Sequence, residues 1–120
     1  MLHHVALEVA PDGIEAESRF WTAAGFEPVP VPESLGGGFT WFERAGTQIH
    51  LLHTDAPVIP PHGHAAVVVA DFQVTFDQLA ADGHEISEGT RHWGERRAKV
   101  VTPAGHQVEI MAAPPLPVVD

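Results

Sequence analysis

The feature that most constrains this chain is an internal repeat of about half its length. The segment HVALEVA at 4–10 aligns with HAAVVVA at 64–70, and AGTQIHLL at 45–52 aligns with AGHQVEIM at 104–111. A repeat of this kind indicates that each copy is one structural unit that packs against the other. We therefore predict a single domain over 1–120, built from one unit at 1–56, a second at 62–113, and a proline-rich, extended tail at 114–120.

Each copy has the pattern of a strand, a helix and three further strands. Alternating apolar residues indicate the strands, and helical spacing of apolar residues indicates one helix after the first strand of each copy. Asp12 and Asp71 are the predicted N-caps of the two helices, and Gly25 and Gly83 are their predicted ends. A hairpin is predicted to turn at Ala45-Gly46. The expected fold class is α+β, with two βαβββ units that form a curved mixed-sheet cleft.

The composition excludes several kinds of partner. The 120 residues include 16 acidic and 6 basic side chains, for a formal net charge of −10. Nucleic acids and anionic membranes require clustered Lys and Arg, so neither is an expected partner. The absence of cysteine removes disulfides and Cys-based metal sites, and it suits a reducing cytoplasm, which is the expected location. No apolar run is long enough for a membrane span, and no signal peptide is expected.

The repeat pairs four residues that can bind a metal ion. His4 corresponds to His64, and His50 corresponds to Glu109. Neighbouring side chains on a strand point to opposite faces, and each of these residues alternates with aliphatic residues expected to pack under a helix. All four are therefore predicted to lie on the other face, where three imidazoles and a carboxylate suit Zn, Ni, Fe or Mn. The alternative is that each is an ordinary polar residue on the open face of a half-buried sheet.

The other histidines are not expected to be metal ligands. His3 and His53 are predicted to share the facing of the aliphatic residues beside them. The remaining four fall in predicted loops or turns: His62, His84, His92 and His106.

A second set of residues is a candidate for substrate binding. Arg97 and Lys99 alternate with Ala98 and Val100, so the two cations are predicted to face the cavity, where they would hold an anionic group. An equally acceptable interpretation is a solvated edge strand. Trp93 lies in the polar loop 87–95, which either covers a ligand or only connects two strands. The facing of Phe39, Trp41 and Phe42 stays open, because one residue of hairpin length decides it.

The chain resembles the vicinal oxygen chelate superfamily over about residues 2–113. The matching pieces are HHVALEVAPDGIEAESRFWTAAGFEPV, GTQIHLL, HGHAAVVVADFQVTFDQLAADG and WGERRAKVVTPAGHQVEIM. The superfamily includes glyoxalase I, extradiol dioxygenases, and fosfomycin- and bleomycin-resistance proteins. The resemblance implies paired βαβββ modules around a divalent metal, a small-molecule substrate, and a homodimer in which the paired modules sometimes come from different chains. The metal positions of the family map onto His4, His50, His64 and Glu109.

Two departures from the family pattern bear on function. Residues 102–105 read TPAG where relatives commonly have Asp-Pro-Asp-Gly, which affects the turn more than the chemistry. His50 stands where glyoxalase I has Glu or Gln, whereas extradiol dioxygenases and fosfomycin-resistance enzymes use only the set that His4, His64 and Glu109 supply. In that case His50 contacts substrate.

Four functions remain under consideration. The leading hypothesis is a metal-dependent, glyoxalase I-like lyase or isomerase acting on an oxygen-rich molecule, with Glu109 binding the metal and exchanging a substrate proton. The second is an Fe(II) extradiol-type dioxygenase with His50 as acid or base, and the third is a fosfomycin-resistance-type transferase. The fourth is a non-catalytic drug-binding protein, which the retention of all four candidate ligands disfavours.

Overall fold

The first repeat folds into four strands and one helix. A computed structural model describes residues 1–115, and most of the predicted tail lies outside these residues. The elements of the first unit, in chain order, are β1 (His4–Val9), α1 (Ile14–Ala23), β2 (Glu27–Val29), β3 (Phe39–Arg44) and β4 (Thr47–His53).

The second repeat has the same order of elements. They are β5 (Ala65–Val68), α2 (Phe72–Ala81), β6 (Ile86–Glu88), β7 (Arg97–Val101) and β8 (Gln107–Met111). The predicted α+β fold of two βαβββ units is therefore confirmed. Within residues 1–115, no helix is long and apolar enough to cross a membrane.

Each unit forms its own four-stranded mixed sheet. The strand orders are β1-β4-β3-β2 and β5-β8-β7-β6, with β1 parallel to β4 and β5 parallel to β8. The crossover from β1 to its parallel neighbour runs through the helix and the hairpin, as parallel pairing requires. This arrangement leaves β1 and β5 as edge strands of separate sheets.

Alternation along the central strands builds the core. Ile49 and Leu51 of β4, and Val108 and Ile110 of β8, are at most 2% exposed and pack in one apolar cluster with the helices. Burial of such side chains stabilises the fold by roughly 1.5–3 kcal/mol each. The opposite faces of the same strands carry the polar residues of interest.

The two helices begin differently. Asp71 caps α2 as predicted, because its carboxylate accepts a hydrogen bond of 3.1 Å from the Val74 backbone N–H. The prediction that Asp12 caps α1 is wrong. The segment Pro11–Gly13 forms a 3-10 turn, so α1 begins after Gly13 and Asp12 lies within the turn, and no side chain caps the helix.

Polar contacts join the two units. The carboxylate of Glu17 on α1 is fully buried and accepts a 2.9 Å hydrogen bond from the Ala104 backbone N–H in the turn before β8. His106 of the same turn is 3% exposed, and its Nε2 lies 2.8 Å from the Glu8 carbonyl oxygen. His106 therefore has a structural role in joining the units, which its predicted loop position did not indicate.

Candidate metal and substrate site

Three aromatic rings form a stack on the open face of the first sheet. The His50 ring lies 4.0 Å from the His4 ring at 14°, and 4.0 Å from the Trp41 ring at 3°. Two parallel rings at the same short distance must occupy opposite faces of His50. Trp41 reaches this position because β3 pairs it directly with His50 across the hairpin. His50 is thus clamped, and it is 6% exposed.

His3 also joins this group. Strand β1 begins at His4, so strand alternation does not govern His3. Its Nδ1 lies 2.9 Å from Nδ1 of His4, and its ring lies 6.3 Å from that of His50. The predicted facing of His3 toward the aliphatic residues is therefore not what the structure shows.

The surroundings of the His50 ring lower its pKa. Burial is the largest cause that lowers the pKa of His50, and the nearby imidazoles His4 and His3 lower it further. Its Nε2 makes a 2.7 Å hydrogen bond with Oε1 of Gln48, two residues earlier on the same face of β4.

In the second unit, a buried carboxylate occupies the corresponding position. Glu109 is 7% exposed, and its Oε1 accepts a 2.6 Å hydrogen bond from Nε of Arg97. Its Oε2 lies 3.6 Å from Nε2 of His64. Nδ1 of His64 lies 3.0 Å from the His62 carbonyl oxygen, which can only accept a hydrogen bond. The Nδ1 atom therefore carries a hydrogen, and Nε2 is the ring nitrogen that faces Glu109.

The three predicted substrate-binding residues all belong to this part of the molecule. Arg97 lies on the face of Glu109 as predicted, although its Nε is committed to that carboxylate rather than open to a ligand. Its guanidinium lies 5.7 Å above the Trp93 ring, whose Nε1 is buried without a partner within residues 1–115. Lys99 pairs with Glu109 in the β7–β8 register and is exposed.

The four candidate ligands are arranged as two separate pairs. Within residues 1–115, no group of three or more His, Cys, Asp or Glu side chains is placed to hold a metal ion. His4 and His50 form one pair on the first sheet, and His64 and Glu109 form the other on the second sheet. One chain thus presents two half-sites, each beside an edge strand.

Comparison with known proteins places this arrangement in a family. A family model described as the Glyoxalase/Bleomycin resistance protein/Dioxygenase superfamily matches residues 2–110. The chain belongs to this superfamily. No protein among curated sequences matches the chain.

Solved structures of the superfamily share the fold over nearly the whole chain. A protein of Bacillus anthracis assigned to the glyoxalase family is 24% identical, with a TM-score of 0.81 over 92% of this chain and 93% of that chain. The fosfomycin resistance protein FosX from Listeria monocytogenes is 20% identical, with a TM-score of 0.76 over 95% and 91%. Lactoylglutathione lyase from Agrobacterium tumefaciens is 17% identical, with a TM-score of 0.70 over 92% and 92%. At these identities, the likeness establishes the fold alone.

Members of the superfamily usually bind a divalent metal, and the donor atoms here suit one. Imidazole nitrogens with a carboxylate oxygen are typical ligands of Zn and of non-haem Fe. Nδ1 of His64 is engaged by the His62 carbonyl oxygen, so its Nε2, which lies beside the Glu109 carboxylate, is the nitrogen available to a metal. His50 is different, because its Nε2 is occupied by Gln48.

A large open cavity lies away from all of these residues. It measures about 870 Å³ and lies between α1, α2 and β3, on the helix side of the first sheet. Its walls include Ser18, Thr22, Phe42 and Val74, and none of the predicted site residues lines it. Its size therefore does not mark the candidate site.

The sequence left two contributors unrecognised. Gln48 is one of them, and the available signal is its place two residues from His50, on the same face of the strand. The other is Trp41, whose facing does not follow from the sequence alone. The two-residue turn at Ala45 and Gly46, both with positive φ, fixes the register that places Trp41 opposite His50.

Proposed function

We propose that this protein is a divalent-metal-dependent enzyme that acts on a small oxygen-rich substrate, at a site completed between two copies of the chain. The observation that carries this proposal is the division of the candidate ligands into two complementary pairs. One half-site supplies two imidazoles, and the other supplies an imidazole and a carboxylate.

The sheet edges support the dimer. β1 and β5 each end a sheet, and side chains of the same chain bond to their backbones at only two carbonyl oxygens within residues 1–115, His106 at Glu8 and Arg44 at Val68. A strand edge without a neighbouring strand is a surface on which a second chain can pack. The open face of these two strands is lined by exposed small or aliphatic residues, Ala6, Ala66 and Val68. A homodimer that brings β1 of one copy beside β5 of the other would unite His4 with the second copy's acidic half-site. Two-fold symmetry would then produce two equivalent sites.

The residues of the proposed site would have different roles. His4, His64 and Glu109 would hold the metal, which when bound stabilises negative charge that develops on substrate oxygens. Arg97 orients Glu109 and balances its charge. Lys99 is exposed and available for an anionic group of the substrate. Trp41 and Trp93 form flat, half-buried walls that exclude water.

The leading reaction type is a glyoxalase I-like lyase or isomerase. In that reaction Glu109 would take a proton from the substrate carbon and return it to a neighbouring carbon, and a bound metal would supply stabilisation of the negative charge on substrate oxygens. A second type, the extradiol dioxygenase or fosfomycin-resistance type, uses three protein ligands. The hydrogen bond between His50 and Gln48 favours this second type, because it occupies the nitrogen that would supply a fourth ligand.

Mixing two inactive variants tests whether the site is shared between chains. His4→Ala and His64→Ala should each abolish stoichiometric metal binding as homodimers. In a mixed dimer, the intact first unit comes from the His64→Ala chain and the intact second unit from the His4→Ala chain, so one of the two sites is restored. Random mixing after unfolding and refolding should recover about one quarter of the wild-type metal. Recovery of none would indicate a site within one chain or no site.

The identity and reactivity of the bound metal separate the reaction types. The untagged protein would be loaded in turn with Zn, Ni, Co, Mn or Fe(II), and bound metal measured by mass spectrometry. Turnover of a hemithioacetal supports the lyase, oxygen-dependent cleavage of a catechol by the iron form supports the dioxygenase, and thiol or water addition to an epoxide supports the transferase. Absence of stoichiometric metal under every condition would overturn the enzyme proposal in favour of a non-catalytic binding protein.

A further inference from the structure

Three side chains on the open face of the first sheet form a chain of hydrogen bonds. Glu43 of β3 and Gln48 of β4 are register partners, and His50 follows two residues along β4. The Gln48 side-chain Nε2 donates to Oε1 of Glu43 at 3.0 Å. The Gln48 Oε1 lies 2.7 Å from Nε2 of His50.

The chemistry of these groups fixes the direction of every hydrogen bond. An ionised carboxylate only accepts, so the amide nitrogen of Gln48 must face Glu43 and its oxygen must face His50. An amide oxygen also only accepts, and therefore Nε2 of His50 must carry the hydrogen. The neutral ring then has its lone pair on Nδ1.

Nδ1 of His50 makes no hydrogen bond within residues 1–115, and this atom is open to solvent, although the residue as a whole is only 6% exposed. The ring cannot turn to find another partner easily, because Trp41 and His4 stack on its two faces at 4.0 Å each. A solvent-accessible acceptor on a ring that is held between two others is a prepared position for a hydrogen-bond donor.

We infer that Gln48, held by Glu43, is a positioning residue that fixes His50 as the Nε2–H tautomer, so that its Nδ1 accepts a hydrogen bond from the substrate instead of binding the metal. This inference rests on the proposed function for the existence of a substrate at this face. It narrows the substrate class to oxygen-rich molecules that carry a hydroxyl or N–H donor near their metal-binding oxygens. The metal ligands are then His4, His64 and Glu109.

The second repeat shows that this hydrogen-bonded chain is specific to the first. Gln107 is the repeat counterpart of Gln48, but its Nε2 donates to the Pro61 carbonyl oxygen at 3.1 Å. Its register partner on β7 is Val101, which has no carboxylate to hold the amide. The residue two positions later is Glu109, which is bound by Arg97 instead. Gln48 therefore bonds to a histidine in the first unit, whereas its counterpart Gln107 bonds to the connector between the units.

The tautomer of His50 is measurable without any substrate or metal. Long-range ¹H–¹⁵N correlation spectra of the metal-free, ¹⁵N-labelled full chain, recorded at alkaline pH, report which ring nitrogen carries the hydrogen. His50→Ala identifies the His50 signals by their loss. We expect hydrogen on Nε2 and none on Nδ1 in the wild type. Hydrogen on Nδ1, or a mixture of both tautomers, would overturn the inference without the need for any further variant.

A matched pair of glutamine variants tests the positioning role. Gln48→Met removes the acceptor with little change in size and should convert His50 to a mixture of tautomers. Gln107→Met should leave the His50 signals unchanged. The double variant Glu43→Gln/Gln48→Glu reverses the carboxylate and amide and should restore the Nε2–H form. An unchanged tautomer in Gln48→Met, or an equal change in Gln107→Met, contradicts the role of Gln48.

Zinc titration separates this inference from the proposed function. His50→Ala and Gln48→Met should bind zinc within about threefold of the wild-type Kd, and His64→Ala should bind at least about 100-fold more weakly, since loss of even a ligand's supporting hydrogen bond costs about 10- to 100-fold. Zinc loading should leave the hydrogen of His50 on Nε2.

Transfer of this hydrogen to Nδ1 on zinc loading would make His50 a ligand and overturn the inference. A loss of zinc affinity in His50→Ala equal to that in His64→Ala would have the same meaning. If the wild type binds no zinc or other metal, the proposed function fails, and the metal-free spectra still decide whether Gln48 positions His50.

Discussion

The two units carry the same strands in the same order, yet their open faces differ in charge and shape. In the first unit, His50 lies opposite Trp41, and the face is a stack of aromatic rings. In the second unit, the corresponding register pair is Glu109 and Lys99, and Arg97 binds the carboxylate directly. The two units share the same strand arrangement, but the first presents aromatic rings on its open face and the second presents charged side chains.

This difference bears on the proposed metal site, because neither unit alone would supply a complete set of ligands. Imidazoles would supply nitrogen ligands and a flat wall, but they would leave the charge of a divalent ion unbalanced. The acidic unit supplies a negative charge, but part of that charge is already balanced by Arg97 at 2.6 Å. A site that combines the two faces gains ligands from one and charge from the other, which is the physical basis for the shared site proposed above.

The largest expected effect on stability comes from the charged face. Glu109→Ala leaves the guanidinium of Arg97, whose side chain is 14% exposed, without its partner. Removal of one member of a buried pair costs about 3–5 kcal/mol. His50→Ala removes only a neutral stacked ring and should cost about 1–2 kcal/mol. Urea denaturation of the metal-free protein at one fixed chain concentration measures the free energy of unfolding for both.

A double variant checks the cause of this difference. Glu109→Leu combined with Arg97→Met replaces both charges with apolar groups of similar size and should recover most of the lost stability. If Glu109→Ala costs no more than His50→Ala, the charged pair is not what distinguishes the two faces.

The next effect concerns the contact between the units. Glu17 is fully buried, its Oε1 accepts the Ala104 N–H at 2.9 Å, and its Oε2 has no partner within residues 1–115. Glu17→Ala removes the acceptor and leaves a cavity, and should lower the free energy of unfolding by about 2 kcal/mol. Glu17→Gln keeps the shape and an acceptor, so it should change stability by less than about 1 kcal/mol. Equal losses in both variants would show that the charge, rather than the hydrogen bond to Ala104, matters.

Much of the fold followed from the repeat and from strand alternation, because both are local properties of the sequence. They gave the order of the elements and the facing of His50 and Glu109, which lie inside regular strands. Alternation failed for His3, which precedes β1, and it gave no facing for Trp41 until the hairpin register was known.

Contacts between distant parts of the chain could not be predicted from local sequence patterns. The pairing of Arg97 with Glu109 depends on the register of β7 with β8. The separation of the half-sites depends on how the two units pack, with Glu17 bonded to Ala104, 87 residues away. No periodicity in the sequence encodes that packing, so the sequence suggested the four candidate ligands but could not show that they lie in two separate pairs.

The two helix N-termini provide a matched test of smaller size. Asp71→Ala removes the carboxylate that accepts from Val74 N–H and should cost about 1 kcal/mol. Asp12→Ala should change stability by less than about 0.5 kcal/mol, because α1 has no side-chain cap to lose. Thermal denaturation of the two variants side by side is the measurement. A comparable loss in Asp12→Ala would mean that its carboxylate stabilises the start of α1 in another way.

The smallest effect is expected at the ion pair between Glu88, the last residue of β6, and Arg96, the residue before β7. Arg96 forms an ion pair with Glu88 and also donates to Gln73 Oε1 at 2.7 Å, so it ties the loop before β7 to α2. The hydrogen bond from Arg96 lowers the pKa of Glu88 from its ordinary value of 4.5. A carboxyl whose pKa is lower in the folded state stabilises the protein above its unfolded pKa, and this contribution is lost as the pH falls through the folded value. Glu88→Gln should therefore give a small decrease in Tm at neutral pH that disappears in acid and shrinks in high salt.

The control is Glu95→Gln, a change of an exposed carboxylate in the loop between β6 and β7, which should show no such dependence on pH. An acid-dependent effect of equal size in Glu95→Gln would assign the stabilisation to net charge instead of to the ion pair.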